Sequence, residues 1–148
     1  MVNFDSEYSG VNFKYRINSS RTSKCTNPNI IMIQVDDSHS PNNYLSDKST
    51  NFIIFHQNIR GLTYKTDELL ISLSSVNPQV LCVTEHHLRP DEIKSIYLGQ
   101  YTLGTYFCRS IYKQGGVSIF VSKNIRFQQI DLNQYVKEKD FEICALKL

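Results

Sequence analysis

From residue 51 onward, short apolar runs alternate with polar joints. Phe52 to His56 is an apolar run of the length of a strand buried on both faces. Leu69, Leu70 and Leu73 recur at helical spacing and predict a helix with one core face. Thr66 is placed to cap that helix. Asp67 and Glu68 fall in its first turn, where the helix dipole favours negative charge. Asn77-Pro78 ends it, and VLCVTE follows at once as a second apolar strand. A strand, a helix and a strand joined by short loops predict two parallel neighbours in one sheet. Pro90, Asp91 and Glu92 then predict a short helix ending near Tyr97. YTLGTYFC alternates loosely as a strand, and VSIFVSK alternates strictly after a Gly115-Gly116 turn. FQQIDL and FEICALKL complete the expected strands, with the charged turn KEKD between them.

Residues 1–50 read differently. Ser, Asn and Thr are dense and apolar residues scattered, which predicts a disordered leader ahead of a domain at 51–148. The exception is IIMIQV, Ile30 to Val35, with the composition of one short strand. No apolar run approaches the roughly 20 residues of a membrane span. The first residues lack the basic start and apolar core of a signal peptide. The expectation is a nuclear or cytoplasmic protein, neither secreted nor membrane-bound. A formal net charge of +2 is too small to argue for nucleic-acid binding, so any such claim rests on local residues. Cys82 and Cys144 lie inside apolar strands and read as core residues, and no cysteine pair has zinc-site spacing.

Two polar residues close the first two strands of the domain, Asn58 and Glu85. In open α/β sheets that edge is where ligands bind. An amide oxygen and a carboxylate are hard donors that suit Mg²⁺ or Mn²⁺. Spacing alone leaves a second reading open, in which Asn58 caps a turn and Glu85 is a solvated strand end. His86 and His87 are adjacent, a poor chelate for one ion, and read as loop histidines. Arg60, Arg89, Arg109 and Lys113 fall in expected loops, with Tyr106, Phe107 and Tyr112 among the last two. Such residues grip phosphates and stack on bases, or else form an ordinary solvated loop.

In order, FHQNIRGL, PQVLCVTEHHL and an Arg109 loop leading into GGVSIFVSK resemble the endonuclease/exonuclease/phosphatase superfamily. The likeness, over about residues 51–148, is to the N-terminal half of the apurinic-type endonuclease domain of non-LTR retrotransposons of the jockey-like insect type. The resemblance implies an α/β fold of α+β type, the first half of a DNase I-like four-layer β-sandwich flanked by helices. It implies metal-dependent nicking of DNA to prime reverse transcription, with a reverse transcriptase in the full-length element. Asn58 would help bind the metal and the scissile phosphate, and Glu85 would be the metal carboxylate. Mg²⁺ or Mn²⁺ would be the cofactor, and Arg60, Arg109 and Lys113 would face DNA. The family's later Asp-x-Asn and Asp-His groups, the general base among them, are expected outside this chain. The chain is thus expected to be a truncated domain that is inactive alone. Another phosphoesterase of the superfamily and a non-catalytic interaction module are the alternatives.

Overall fold

In the computed structural model, which describes residues 30–35 and 50–148, the fold is mixed α/β. Strands β1 (Ile30–Val35), β2 (Thr50–Asn58), β3 (Val80–Thr84), β4 (Tyr101–Phe107) and β5 (Val117–Ser122) form a sheet in the order β1-β2-β3-β5-β4. β2 and β3 are parallel, as the strand–helix–strand pattern predicts, and the other pairs are antiparallel. IIMIQV is the edge strand β1, so the sheet takes a strand from upstream of residue 51. Residues 1–29 and 36–49, where the disordered leader and Cys25 are expected, lie outside the described residues.

The register sorts the side chains into two faces. Phe55, Leu81, Phe120 and Leu103 share one row, and Gln57, Val83, Ser118 and Tyr106 the next. On this face α1 (Thr66–Val76) places Leu69 and Leu73, and α2 (Pro90–Lys94) places Ile93. All are buried in one cluster with Phe55, Leu81 and Phe120. The opposite face carries Ile54, Val80 and Val121 in one row, and His56, Cys82 and Ile119 in the next. Val80 and Val121 are buried there, while Ile54, His56, Cys82 and Ile119 are half-buried. A second, two-stranded sheet pairs β6 (Gln128–Ile130) with β7 (Ala145–Lys147). Its Leu146 reaches β4, where Gly104 leaves room: a Cβ there would lie 2.7 Å from Leu146 Cδ2.

Three local expectations change. Thr66 is the first helical residue of α1 and not its cap; Lys65 holds that position with no side-chain capping bond. The Lys65 ammonium instead donates to the carbonyls of Ile59 (2.6 Å) and Arg60 (3.3 Å), because the turn after β2 folds back over the helix start. Tyr106 and Phe107 belong to strand β4 and not to the loop after it. FEICALKL forms a strand only at Ala145–Lys147, since β6 offers three residues to pair with and the Glu142 side chain is turned toward Arg109 and Gly116. Asn77 ends α1 in the left-handed conformation, φ 48°.

Phe120→Ala is expected to lower the free energy of unfolding by about 3–5 kcal/mol, through lost burial and the cavity left behind. Ile71→Ala, on the exposed side of α1, is expected to change it by less than about 0.5 kcal/mol. Urea unfolding of both variants checks this; equal losses would mean that the helix-covered face is not the core.

Candidate active site

The parallel pairing of β2 and β3 continues past both strands. Ile59 N–H donates to the Thr84 carbonyl (3.0 Å), Gly61 N–H to that of Glu85 (2.8 Å) and Leu62 N–H to that of His86 (3.0 Å). The two loops that follow the strands are thereby locked side by side. Asn58 is the register partner of Thr84, so Asn58 and Glu85 stand at the same edge of neighbouring strands. Asn58 is exposed, and Glu85 is partly exposed.

This edge is conformationally unusual. Of five non-glycine residues with positive φ among those described, three are here: Arg60 (48°), Glu85 (55°) and His87 (60°). Each such residue costs on the order of 1–3 kcal/mol, and such conformations gather where a site over-determines the backbone. A cavity of about 400 Å³ opens between them, lined by Arg60, Glu85, His87, Arg109, Gln114 and Gly115. The Glu85 carboxylate lies 4.0 Å from His87 Nε2, a contact too long for a hydrogen bond. His87 N–H donates to the Gly115 carbonyl (2.9 Å), which ties the second loop to the loop before β5.

His86 lies in the loop after β3, as expected, but its side chain turns inward. It is fully buried. Its Nδ1 accepts from Leu88 N–H (3.0 Å), so Nε2 carries the proton and donates to the Phe107 carbonyl (3.1 Å). Burial is the largest influence on the imidazole and pushes its pKa below the ordinary histidine range; the carbonyls it meets pull the other way. The ring rests on Gly116, where a Cβ would lie 2.5 Å from Cε1. Gly115 is equally constrained, since a Cβ there would overlap the Arg109 guanidinium.

Arg109 lines the cavity and is held from behind. Its Nε pairs with Glu142 Oε1, and both side chains are largely buried. The other oxygen, Oε2, accepts from Gly116 N–H (2.9 Å), and Oε1 also accepts from Lys139 N–H (3.1 Å). Burial pushes the Glu142 carboxyl upward, but these donors outweigh it and the net pKa is lowered. Glu138, from the same turn, accepts from Ser110 N–H and Oγ (both 2.6 Å). Neither glutamate is singled out by its spacing. The one hint is that Glu142 is a lone acid at the head of an apolar run, ICAL.

Of the residues expected to face DNA, Arg60 and Arg109 come together on the cavity wall; Lys113 is exposed on the adjacent loop and does not line it. Arg89 caps α2, where its N–H donates to Glu92 Oε2 (2.7 Å). An Asp-x-Asn spacing, expected only outside the chain, does occur at Asp131-Leu132-Asn133. Asp131 Oδ1 accepts from Asn133 N–H (3.0 Å), a local turn. These residues line a second cavity of about 540 Å³ with Thr105, Tyr106 and Cys144, which shares no lining residue with the first. Among the described residues, no group of three or more His, Cys, Asp or Glu side chains is arranged to hold a metal ion. Among them, too, no helix is long and apolar enough to cross a membrane. No protein-family model matches the chain, and no curated protein matches it.

Because folded His86 has a lowered pKa, the unfolded chain takes up its proton first on acidification. Its contribution to stability is present above the unfolded value, about 6.5, and is lost as pH falls through that range toward the lower folded value. Unfolding free energies measured between about pH 7.5 and 5.5 should fall with acid, and His86→Gln should flatten that slope. An unchanged slope in the variant would assign the effect elsewhere.

Proposed function

We propose that the chain belongs to the endonuclease/exonuclease/phosphatase superfamily, with the described sheet and its helices forming the first half of a DNase I-like sandwich. On this reading the β2–β3 edge is a site for metal-dependent hydrolysis of DNA phosphodiesters, of the kind used by non-LTR retrotransposons to prime reverse transcription. The observation that carries the reading is the pairing of Asn58 with Thr84. It sets an amide and the Glu85 carboxylate at one sheet edge, beside a cavity that also holds Arg60 and Arg109.

The donors fit a hydrated hard cation. Glu85 is partly exposed and lines the cavity; Asn58 is exposed at the same sheet edge and does not line it; both offer oxygen. Glu85 and Asn58 would hold Mg²⁺ or Mn²⁺, with waters and a phosphate oxygen supplying the remaining ligands. When bound, the ion supplies charge stabilisation to the phosphoryl group and the leaving oxygen. Arg60 and Arg109 place positive charge where a phosphate would enter, and they contribute binding and orientation. The Arg60, Glu85 and Gly115 backbones fix the walls before any ligand arrives. No residue of the chain is assigned as general base, so binding is the readout closest to the site.

A second reading within the superfamily is a small phosphorylated substrate. The cavity volume of about 400 Å³ favours it, because that is the size of a small-molecule site. Anisotropy of a labelled DNA duplex, with and without Mg²⁺, tests both. The expected result is Mg²⁺-enhanced binding that Glu85→Ala abolishes. An enhancement that survives Glu85→Ala refutes the metal site. Mg²⁺-dependent binding of a mononucleotide but not of the duplex selects the second reading.

A further inference from the structure

Arg109 reaches the cavity, but its guanidinium is anchored by only one of its five N–H donors. Nε–H is bound to Glu142, and no other side-chain hydrogen bond of Arg109 occurs among the described residues. The guanidinium lies against Gly115, which has no Cβ to displace it. Glu142 simultaneously holds Gly116 N–H and Lys139 N–H. One carboxylate therefore sets the side chain of Arg109 and the backbone of the glycine pair on the same wall.

We propose that Glu142 is the positioning residue of this site: it fixes Arg109 by its Nε edge and leaves the two terminal amino groups to grip a phosphoryl oxygen. The inference rests on the phosphoester reading of the cavity. The geometry accounts for why an arginine and not a lysine stands here. An ammonium held by Glu142 would spend its single charged head on that contact, whereas the guanidinium is a rigid fork with a held edge and free edges. Gly115 and Gly116 fit the same wall, since a Cβ added at either would strike Arg109 or His86. Glu138 serves as an internal contrast. It comes from the same Lys137–Glu142 turn and holds Ser110 and Ile111, but makes no hydrogen bond to Arg109.

The test is an NMR titration of the full chain with inorganic phosphate, following the amides of Gly115 and Gly116 and the Nε–H of Arg109. In the parent, these amides are expected to shift and saturate, while the Arg109 Nε–H stays hydrogen-bonded at saturation. Glu142→Gln keeps an acceptor for Gly116 but loses the charge. It is expected to weaken phosphate binding by about tenfold, the scale of one charge-assisted hydrogen bond. Glu138→Gln is expected to stay within about twofold. Equal affinity in Glu142→Gln and the parent overturns the proposal, as does an equal loss in Glu138→Gln, which would make loop order the cause. If Glu142→Gln does not fold, the parent still decides. An Arg109 Nε–H that leaves its hydrogen bond as phosphate saturates means that Glu142 competes with the ligand, and the proposal falls. A parent that shows no shift at Gly115 or Gly116 removes the phosphoester reading itself.

Discussion

The hydrogen-bonded ladder between β2 and β3 runs on after the strands have ended, and the site depends on that continuation. Three more backbone bonds join Ile59, Gly61 and Leu62 to Thr84, Glu85 and His86. A chain that keeps pairing while it leaves the sheet must change direction without losing its partner. Here Arg60 and Glu85 do so with φ of 48° and 55°, values that L residues seldom adopt. Lys65 adds a counterweight, its ammonium resting on the carbonyls of Ile59 and Arg60. The helix after β2 and the turn before it are thus fixed by one side chain.

A second tie closes the ring of loops. His87 bonds to Gly115 and His86 to Phe107, so the loop after β3 is stitched to both ends of the loop between β4 and β5. The Lys137–Glu142 turn then braces that loop through Arg109, Ser110, Ile111 and Gly116. Three segments far apart in sequence are thus held together, and the bonds to the Phe107 carbonyl and to Glu142 are partly buried. Bonds of this kind are expensive to break because each partner would be left unsatisfied.

The parts legible in the sequence are those set by local pattern. The helical spacing of Leu69 and Leu73, the strict alternation of VSIFVS and the short joints around α1 give the elements and the parallel pair. Placing Asn58 and Glu85 at one edge followed from that pairing. What stayed hidden depended on contacts far apart in sequence. Glu142 lies 26 residues from Gly116 and 33 from Arg109. The burial of His86 stayed hidden because nothing nearby in sequence marks the Phe107 carbonyl and Gly116 that enclose it. The Thr66 cap failed for a similar reason, since local propensity gives way where the preceding turn folds onto the helix start.

The opposite face of the sheet has its own chemical signature. Cys82 stands there, while Cys108 packs against the helix-covered core. Both, with Cys144, are half-buried free thiols, and burial pushes all three upward, Cys108 to about 11 and Cys144 to about 12. At neutral pH a thiol with a pKa of about 11 is ionised in only about one molecule in ten thousand, and the thiolate is the nucleophile. In the closed fold Cys108 and Cys144 are therefore slow to react with alkylating reagents, and burial acts on Cys82 in the same direction. Their rate of labelling becomes a clock for how often the sheet uncovers them. Cys82, at the centre of β3, times the opening of the sheet, and Cys144, just before β7, times the departure of the small second sheet.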